Sequence, residues 1–365
     1  MGKQCLAAAG YLSIFLVPTL FLTGAAIDRP WLAIGVIILM FPLARVAFGA
    51  LPASGVPDWS EAVATALDLL PVVFAIVMPA MVLAGVALAG DLSATGAGAM
   101  LGMTLSLWMT LLFGTCVAHD LIHRRGKRQA TLGFMLAGFC GYLALGMEHL
   151  AHHARPGATR LAEYPYRSDS LWQFAGRRLA RVWADLLAPG AAVWDTKARL
   201  PSLVRTRAAL LTTALTGTAY WALGGAAAAA LYLAVCGMVA FGVQLITYIQ
   251  HWGLGEDSIP GRIAHGRGWD DDCRFQAWVT LGVSLHDPHH RDSRRPFYRL
   301  ELSPDSPRLP AGYVLLMFAS MAPPLWRRLM EPRLARWIAS PDPPVSAGRR
   351  ITCFGLPDTR EDAGR

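Results

Sequence analysis

The sequence predicts an all-α membrane protein built as a six-span helical bundle, and three observations support this fold class. The chain has 365 residues, of which 54% are hydrophobic and only 16% are charged, whereas soluble domains carry about 25% charged residues. Apolar runs recur along the first two thirds of the chain, and several reach the roughly 20 residues that one membrane crossing needs. Nine of the ten histidines lie in four groups that adjoin these runs.

The apolar runs pair into three hairpins of two spans each. The six predicted spans are about 5–27, 31–49, 69–90, 92–118, 208–226 and 227–250. The second span requires Arg45 to snorkel to the interface, and a turn near Gly224 and Gly225 separates the last two. A cleaved signal peptide fits the first run less well, because a single lysine precedes it and a second apolar run follows at once.

Basic residues set the predicted orientation. Few of them precede residue 118, whereas clusters such as Arg124–Arg128 follow the fourth span. Basic loops favour the cytoplasmic side, so we expect a multi-pass protein of the inner membrane whose histidines face the cytoplasm. The net charge of +8 does not favour nucleic acid as a partner, because apolar runs interrupt the basic clusters. Membrane lipid headgroups or an acidic partner are expected instead.

Residues 1–340 are predicted to form a single membrane domain. Within it, the apolar segment 312–326 is too short to span and ends in Trp326 before two arginines, which is typical of an interfacial segment. Residues 341–365 are rich in proline, glycine and charge and therefore predict a mobile tail.

The histidine groups have the spacing of metal ligands on helices. They are His119 and His123; His149, His152 and His153; His251; and His286, His289 and His290, with His265 standing apart. Residues at i and i+4 share one helix face, and Pro288 places the last group at a helix start. A lone histidine such as His251 is more often a helix cap or a surface group. The concentration of nine histidines in such groups favours metal binding for the set.

The number and type of these ligands predict two metals. Structural zinc takes four ligands, whereas nine imidazoles suit two metals with open coordination positions. An imidazole-rich, oxygen-poor site suits iron, copper or zinc better than magnesium or calcium. The six cysteines include no C-x-x-C pair, so neither a zinc ribbon nor a fused rubredoxin-type iron site is predicted. A di-iron centre that activates oxygen beneath a membrane bundle is suited to attack C–H bonds of an apolar substrate arriving from the bilayer.

The apolar run 129–147 tests the two-metal interpretation. If this run crossed the membrane, His149 would emerge about 27 Å from His123, which is too far for metal–nitrogen bonds of about 2 Å. We therefore predict a helix that does not span. This helix is buried against the bundle or lies at the membrane interface. Alternatively, the helix of the fourth span projects beyond the membrane, so that residues 129–147 double back. Hydropathy alone favours a seventh span.

Side chains beside the ligands are candidates for supporting roles. Ligating histidines usually hand their second ring nitrogen to a carboxylate or a carbonyl. Three carboxylates adjoin the groups and are predicted to fill this role, with helix capping as the alternative: Glu148, Asp120 and Asp287. Five apolar side chains are predicted to line a substrate cavity between the spans, with ordinary bundle packing as the alternative: Trp108, Met109, Leu112, Phe113 and Phe241.

Four segments of the chain resemble, in order, the four histidine motifs of the membrane alkane monooxygenases, a branch of the fatty-acid desaturase and hydroxylase superfamily. They are His-Asp-Leu-Ile-His-Arg, Glu-His-Leu-Ala-His-His, Tyr-Ile-Gln-His-Trp-Gly-Leu and His-Asp-Pro-His-His. The resemblance continues in Ser-Arg-Arg-Pro-Phe-Tyr-Arg-Leu, Leu-Pro-Ala-Gly-Tyr and Pro-Pro-Leu-Trp-Arg-Arg, and it covers about residues 95–335.

The resemblance implies a cofactor, a reaction and partners. The nine grouped histidines would ligate two non-heme irons at a cytoplasm-facing site, with no bound flavin or heme expected. The implied reaction inserts one oxygen atom from O2 into a terminal methyl group. Electrons would come from NAD(P)H through a reductase and a separate rubredoxin or ferredoxin. The basic segments Arg124–Arg128 and Arg291–Arg295 are a candidate dock for such an acidic carrier, and ordinary positive-inside loops are the alternative.

Three departures from the family pattern concern the substrate. Asp120 and Gln250 stand where the family has glutamates, and the second motif reads His-x-x-His-His, one residue shorter than usual and spaced as in desaturases. The first functional hypothesis is a di-iron hydroxylase of an alkane-like, aromatic or terpene methyl group. The second is a fatty acyl desaturase or hydroxylase, and the third is a non-catalytic metal-binding membrane protein such as a transporter. Because the histidines cluster at span ends rather than at the bilayer midplane, transport is disfavoured.

Overall fold

The structure is a computed structural model that describes residues 2–51, 55–90, 92–188, 191, 193–194, 200–258 and 267–340. The predicted mobile tail 341–365 and the isolated His265 lie outside the described residues. The regular secondary structure of the described residues is helical, apart from two single β-bridges, Ala50 with Cys273 and Asp270 with Arg308. The predicted all-α class is therefore confirmed.

The described residues form thirteen α-helices, numbered here in chain order. They are α1 (Gly2–Ala9), α2 (Leu16–Ala26), α3 (Leu32–Phe48), α4 (Glu61–Leu88), α5 (Ala97–His123), α6 (Lys127–Phe139), α7 (Leu145–Ala154), α8 (Leu171–Leu187), α9 (Pro201–His251), α10 (Arg274–Val279), α11 (His286–Arg291), α12 (Tyr313–Met321) and α13 (Pro323–Ala339). A 3-10 turn over Gly10–Phe15 joins α1 to α2, so the two continue as one apolar rod.

Within the described residues, four helical stretches are long and apolar enough to cross a membrane. They are Gln4–Ala26, Glu61–Leu88, Ala97–His123 and Pro201–His251. A fifth helix, α3, is apolar but only 17 residues long. Together with the all-helical fold, these stretches identify a membrane protein. The count of six spans and their orientation remain predictions.

The longest helix, α9, is folded back on itself as a hairpin. Gly224 and Gly225 have non-helical torsion angles, and Gly225 has a φ of 65°, a conformation that glycine adopts at little cost. On either side of this break, Tyr220 and Tyr232 pack with their ring centroids 4.7 Å apart. The reversal falls at the glycine pair where the sequence predicts a turn.

Helix α6 doubles back along α5, and this brings the second histidine group beside the first. The two backbones approach closely at Gly133, where a β-carbon would lie 2.7 Å from the backbone nitrogen of Ile122. With 13 residues, α6 is only about 20 Å long. The predicted single helix over 129–147 is wrong in its extent, because the helix ends at Phe139 and Gly141 turns the chain with a φ of 87° before α7 begins.

Three helical segments differ in extent from the predicted spans and interfacial segment, whose position in a membrane remains a prediction. Helix α4 begins at Glu61 rather than at 69, because the helix continues through Asp68, whose carboxylate pairs with Arg124. Helix α5 begins at Ala97 and continues five residues beyond the predicted end at 118, because its histidine-bearing last turns extend the helix past the apolar run. The predicted interfacial segment 312–326 is divided between α12 and α13, which are separated at Ala322. Pro323 follows this break, where proline is tolerated in the first turn of a helix.

Candidate metal centre

Four helices supply nine histidines that meet at one end of the bundle. Helix α5 carries His119 and His123 in its last turns, and α9 ends at His251. The short helices α7 and α11 lie near this end and supply three histidines each. Pro288 falls in the first turn of α11, as the sequence predicts, so it interrupts no helical hydrogen bond.

The nine histidines form two groups, and in each group the candidate ligand nitrogens lie within 4.8 Å of one another. The five-histidine group consists of His119, His123, His149, His153 and His289, and the four-histidine group consists of His152, His251, His286 and His290. The chain neighbours His152 and His153 thus belong to different groups. The rings of His153 and His290 stack across the boundary at 4.4 Å, so the two groups lie side by side.

The ring nitrogens of the four-histidine group converge on one point. Nε2 of His251 lies 2.8 Å from Nε2 of His286 and 3.0 Å from Nε2 of His152, and Nε2 of His290 lies 3.0 Å from Nε2 of His286. A neutral imidazole nitrogen carries either one hydrogen or one lone pair. Four such atoms therefore satisfy at most two hydrogen bonds among themselves, whereas one cation satisfies all four. This arrangement fits metal ligation.

The five-histidine group shows the same conflict. Nε2 of His149 is approached by Nε2 of His123 at 2.8 Å and by Nε2 of His153 at 3.0 Å, although it offers a single bonding position. Nε2 of His119 is buried without a hydrogen-bond partner. A buried polar nitrogen left unpaired is costly, and a metal ion at the centre of the group would satisfy it.

The protonation state of the histidines also fits a metal. Among the candidate ligands outside the membrane-spanning helices, burial is the main factor that lowers the pKa of His152, His286 and His290 well below the usual value, and neighbouring imidazoles lower it further. Burial likewise lowers the pKa of His153 and His289 well below that value. These rings are therefore neutral near pH 7, which is the form that binds metal.

His251 has an outer hydrogen bond of the kind that orients metal-ligating imidazoles. Its Nδ1 lies 2.7 Å from the carbonyl oxygen of Arg267. The backbone N–H of Arg267 donates in turn to the carboxylate of Asp287 at 2.8 Å, and the side chain of Arg291 holds the other oxygen of that carboxylate. Asp287, predicted as a supporting residue, is thus linked to His251 through the backbone of a single residue, Arg267.

The other two predicted supporting carboxylates bind arginines. Both oxygens of Asp120 accept from Arg124, one turn further along α5, at 3.0 and 3.4 Å. Glu148 accepts from Nε of Arg178 at 2.7 Å, and its other oxygen accepts from Tyr142 and from the amide of Gln244. Among the described residues, the partners of these two carboxylates are therefore not histidines, and the predicted hydrogen bond to a ring nitrogen is not formed.

An apolar cavity opens onto both groups. His119 and His149 from the five-histidine group and His286 from the four-histidine group line its inner end. Its other walls come from α5, α7, α9, α10, α12 and the segment between α10 and α11. A single apolar ligand in this space would therefore lie against both histidine groups.

Three of the five predicted substrate-cavity residues line this cavity: Met109, Leu112 and Phe113. The other two do not. The indole N–H of Trp108 donates to the carbonyl of Met238 at 2.8 Å, and Phe241 stacks on Trp172 at 5.4 Å. Both have the apolar character of their helices but point into other packing contacts, which an apolar run alone cannot reveal.

Three threonines, Gln250 and Tyr313 of the cavity wall are already hydrogen-bonded to protein atoms. The hydroxyl groups of Thr115, Thr247 and Thr280 each donate to a backbone carbonyl within the same turn of chain, at 2.6, 2.9 and 2.7 Å. The side-chain amide of Gln250 donates to the carbonyl of Val283 and to the hydroxyl of Tyr313. Few polar groups of the cavity wall therefore remain to form hydrogen bonds with a polar ligand.

Sequence reasoning missed two charged residues near the centre, Glu163 and Arg178. Both are buried, and one terminal nitrogen of Arg178 donates to Glu163 at 2.6 Å. In the sequence, Arg178 is one of three arginines close together, with Arg177 and Arg181. A signal was nevertheless present, because Arg178 lies at helical spacing on the buried apolar face of α8, between Phe174 and Val182.

Comparison with known proteins places these features in a family context. The fatty acid desaturase family model matches residues 94–328. The chain is 28% identical to alkane 1-monooxygenase 1 of Pseudomonas aeruginosa, over 66% of this chain and 65% of that protein. It is 23% identical to alkane 1-monooxygenase 2 of Alcanivorax borkumensis, over 60% and 59% of the two chains. It is 24% identical to alkane 1-monooxygenase 2 of P. aeruginosa, over 88% of each chain. The chain thus spans slightly less than two thirds of the first two curated relatives.

Proposed function

The chain belongs to the fatty acid desaturase family, with alkane 1-monooxygenases among its relatives, and on that premise we propose that it is an O2-dependent di-iron monooxygenase. It hydroxylates a terminal or activated methyl group of a hydrophobic, alkane-like substrate. The observation that carries this proposal is the position of two histidine groups side by side at the inner end of one apolar cavity.

We propose that the five-histidine group and the four-histidine group each hold one non-heme iron. The pair of irons would activate O2 so that one oxygen atom enters a C–H bond and the other leaves as water, with two electrons and two protons supplied from outside. Nine neutral imidazoles fit iron, and the five-histidine group has more ligands than a structural zinc site needs.

The protein residues bind and orient the substrate. Met109, Leu112 and Phe113 form an apolar wall on α5 that leads to His119. From Met109 to His119 the helix rises about 15 Å, so an alkyl chain lying along it would bring one end to the histidines. Because the threonines and Gln250 of the wall are hydrogen-bonded to the protein, the cavity favours a hydrocarbon and excludes water from the reacting end.

We propose that the electrons come from an NAD(P)H reductase through a separate rubredoxin or ferredoxin. The active site would lie on the cytoplasmic side of the inner membrane, where such a carrier is present. Basic residues near the centre, including Arg291 and Arg295, support docking of an acidic carrier. Arg291 pairs with Asp287 and Asp305, and Arg295 pairs with Glu301. These pairs offset part of the positive charge, so the alternative is that the basic residues are ordinary charges of cytoplasmic loops.

A product assay tests the proposed function. The purified, iron-loaded protein is given O2, NADH, a reductase and a rubredoxin, together with octane, p-cymene or a fatty acyl ester. The proposal predicts a primary alcohol from octane or p-cymene and about two irons per chain. Absence of iron from the purified, folded protein would instead support a non-catalytic role.

A fatty acyl desaturase or hydroxylase is the second candidate, and one observation favours it. The second histidine motif has the desaturase spacing, in which His149, His152 and His153 follow one another without the extra residue of the alkane branch. In the same assay this function would yield an unsaturated or hydroxylated acyl ester and no octanol.

A further inference from the structure

A buried charge network lies beside the four-histidine group. It consists of Glu148 on α7, Arg178 on α8 and Glu163 in the segment between them, and each is at most 6% exposed. Arg178 donates from Nε to Glu148 at 2.7 Å and from one terminal nitrogen to Glu163 at 2.6 Å. The same terminal nitrogen also donates to the carbonyl of Ala162. Arg178 therefore ties the segment that carries Glu163 to the helix that carries three histidines.

Glu163 is the member of this network that approaches a ligand. Its Oε2, which accepts from Arg178, lies 3.8 Å from Nδ1 of His152. That nitrogen is buried and has no hydrogen-bond partner, whereas Nε2 of the same ring faces the four-histidine group. A carboxylate held at the outer nitrogen of a ligating histidine fixes the tautomer and the orientation of the ring.

The charge balance of the network also favours a cation at this position. The buried members, two carboxylates and one guanidinium, carry one net negative charge, and the only other cation paired with Glu163 among the described residues is the exposed Arg155, at 3.8 Å. A buried charge that is only partly compensated is costly. A metal ion bound by His152 and its partners would lie close to Glu163 and offset this charge. Without Arg178, both buried carboxylates would lose the guanidinium that donates to each of them.

The network acts on one histidine group rather than on both. Glu148 precedes His149 of the five-histidine group in the chain, but its side chain is held by Arg178, Tyr142 and Gln244. The approach to a ring nitrogen is made by Glu163, and it is directed at His152 of the four-histidine group.

We propose that Glu163 and Arg178 are positioning residues for the four-histidine site. Arg178 holds Glu163 at the outer nitrogen of His152, and without this pair the four-histidine site loses its metal while the five-histidine site keeps its own. The inference rests on the proposed function, because it assumes one iron at each group.

The test compares Glu163→Gln and Arg178→Gln with the wild type and with Arg177→Gln. Arg177 is the neighbouring arginine on α8 and pairs with Asp169, so its variant controls for loss of an arginine from this helix. Each full-length protein is loaded with 57Fe(II), dialysed against a weak chelator, and analysed for iron content and by Mössbauer spectroscopy. The His152→Ala variant identifies the signal of the four-histidine site.

The proposal predicts an approximately 10–100-fold weaker iron affinity at the four-histidine site in both variants. After dialysis, the signal that His152→Ala removes would be lost and the other would remain, while Arg177→Gln would keep both. Arg178→Lys would recover part of the lost signal, because an ammonium group retains the positive charge and pairs with one carboxylate.

Two outcomes would overturn the inference. Retention of both signals at wild-type affinity would show that the pair does not position His152. Parallel loss of both signals, with circular dichroism reporting unfolding, would show that the network only maintains the fold. A wild-type protein that is folded but binds no iron would contradict the proposed function itself, so the two failures are distinguishable.

Discussion

The two histidine groups differ in how the protein holds them. All four rings of the four-histidine group are buried, and His251 and His152 have protein oxygens at or near their outer nitrogens. The five-histidine group has one more ligand, but three of its rings are only half-buried. The nearby Asp120 is bound to Arg124. The four-histidine group therefore depends on the packing and hydrogen bonds around its histidines, whereas the five-histidine group depends on its larger number of histidines.

The largest effect is expected from substituting the chain neighbours His152 and His153, which belong to different groups. His152→Ala leaves three ligands in its group, so we expect that iron to be lost and turnover to be abolished while the bundle remains folded. His153→Ala leaves four ligands, so we expect its group to bind iron more weakly but still measurably. Iron titration and the hydroxylation rate check both. A His152→Ala variant with the wild-type rate would remove His152 from the ligand set.

Metal removal should distinguish the groups by their exposure. A water-soluble chelator reaches the half-buried rings His119, His123 and His149 more readily than the buried rings of the four-histidine group. We therefore expect biphasic loss of iron, with the fast phase from the five-histidine group, measured by stopped-flow absorbance of the chelate. In His153→Ala the fast phase should become faster still. A single phase in the wild type would mean that burial does not separate the two sites.

Two aspartates that each follow a histidine of the candidate metal centre provide a smaller, matched contrast. The carboxylate of Asp287 accepts from the backbone N–H of Arg267, whose carbonyl oxygen lies at the outer nitrogen of His251. Because Asp287→Asn weakens this acceptor, we expect iron affinity to fall by about 10-fold. Asp120→Asn should leave iron affinity unchanged, because that side chain is engaged by Arg124. Iron titrations of the two variants decide the contrast. Equal losses would mean that Asp120 supports the five-histidine group in the same way.

The smallest effect is expected at the tenth histidine. The sequence places His265 in an Ala-His-Gly-Arg-Gly segment without a spaced partner, so His265→Ala should keep the iron content and turnover of the wild type. Iron analysis and the octane assay check this in parallel with His152→Ala. Loss of iron from His265→Ala would mean that the grouping of the other nine is incomplete.

Much of this arrangement could be predicted from the sequence because helical spacing is a local property. The i and i+4 spacing of His119 and His123 places both on one face of α5, and the pair of glycines at 224 and 225 predicts the reversal of α9. The need to bring His149 near His123 predicts that the intervening apolar run does not span. These inferences require only the chain itself and the length of a metal bond.

Helical spacing could not predict that the adjacent residues His152 and His153 belong to different histidine groups. His152 and His153 belong to different groups because α7 packs against both α5 and α9, which is a matter of tertiary packing. The contact between Glu163 and Arg178 likewise depends on how the loop between α7 and α8 packs against α8. Trp108 and Phe241 turn away from the cavity because of partners distant in sequence, Met238 and Trp172.

The central claim is that two irons are bound, one by each histidine group. An anomalous difference map at the iron absorption edge, from crystals of the iron-loaded protein, tests it most directly. The account predicts two peaks, one about 2.1 Å from the Nε2 atoms of His152, His251, His286 and His290, and one at the same distance from those of the five-histidine group. A single peak, or peaks away from these nitrogens, would contradict it.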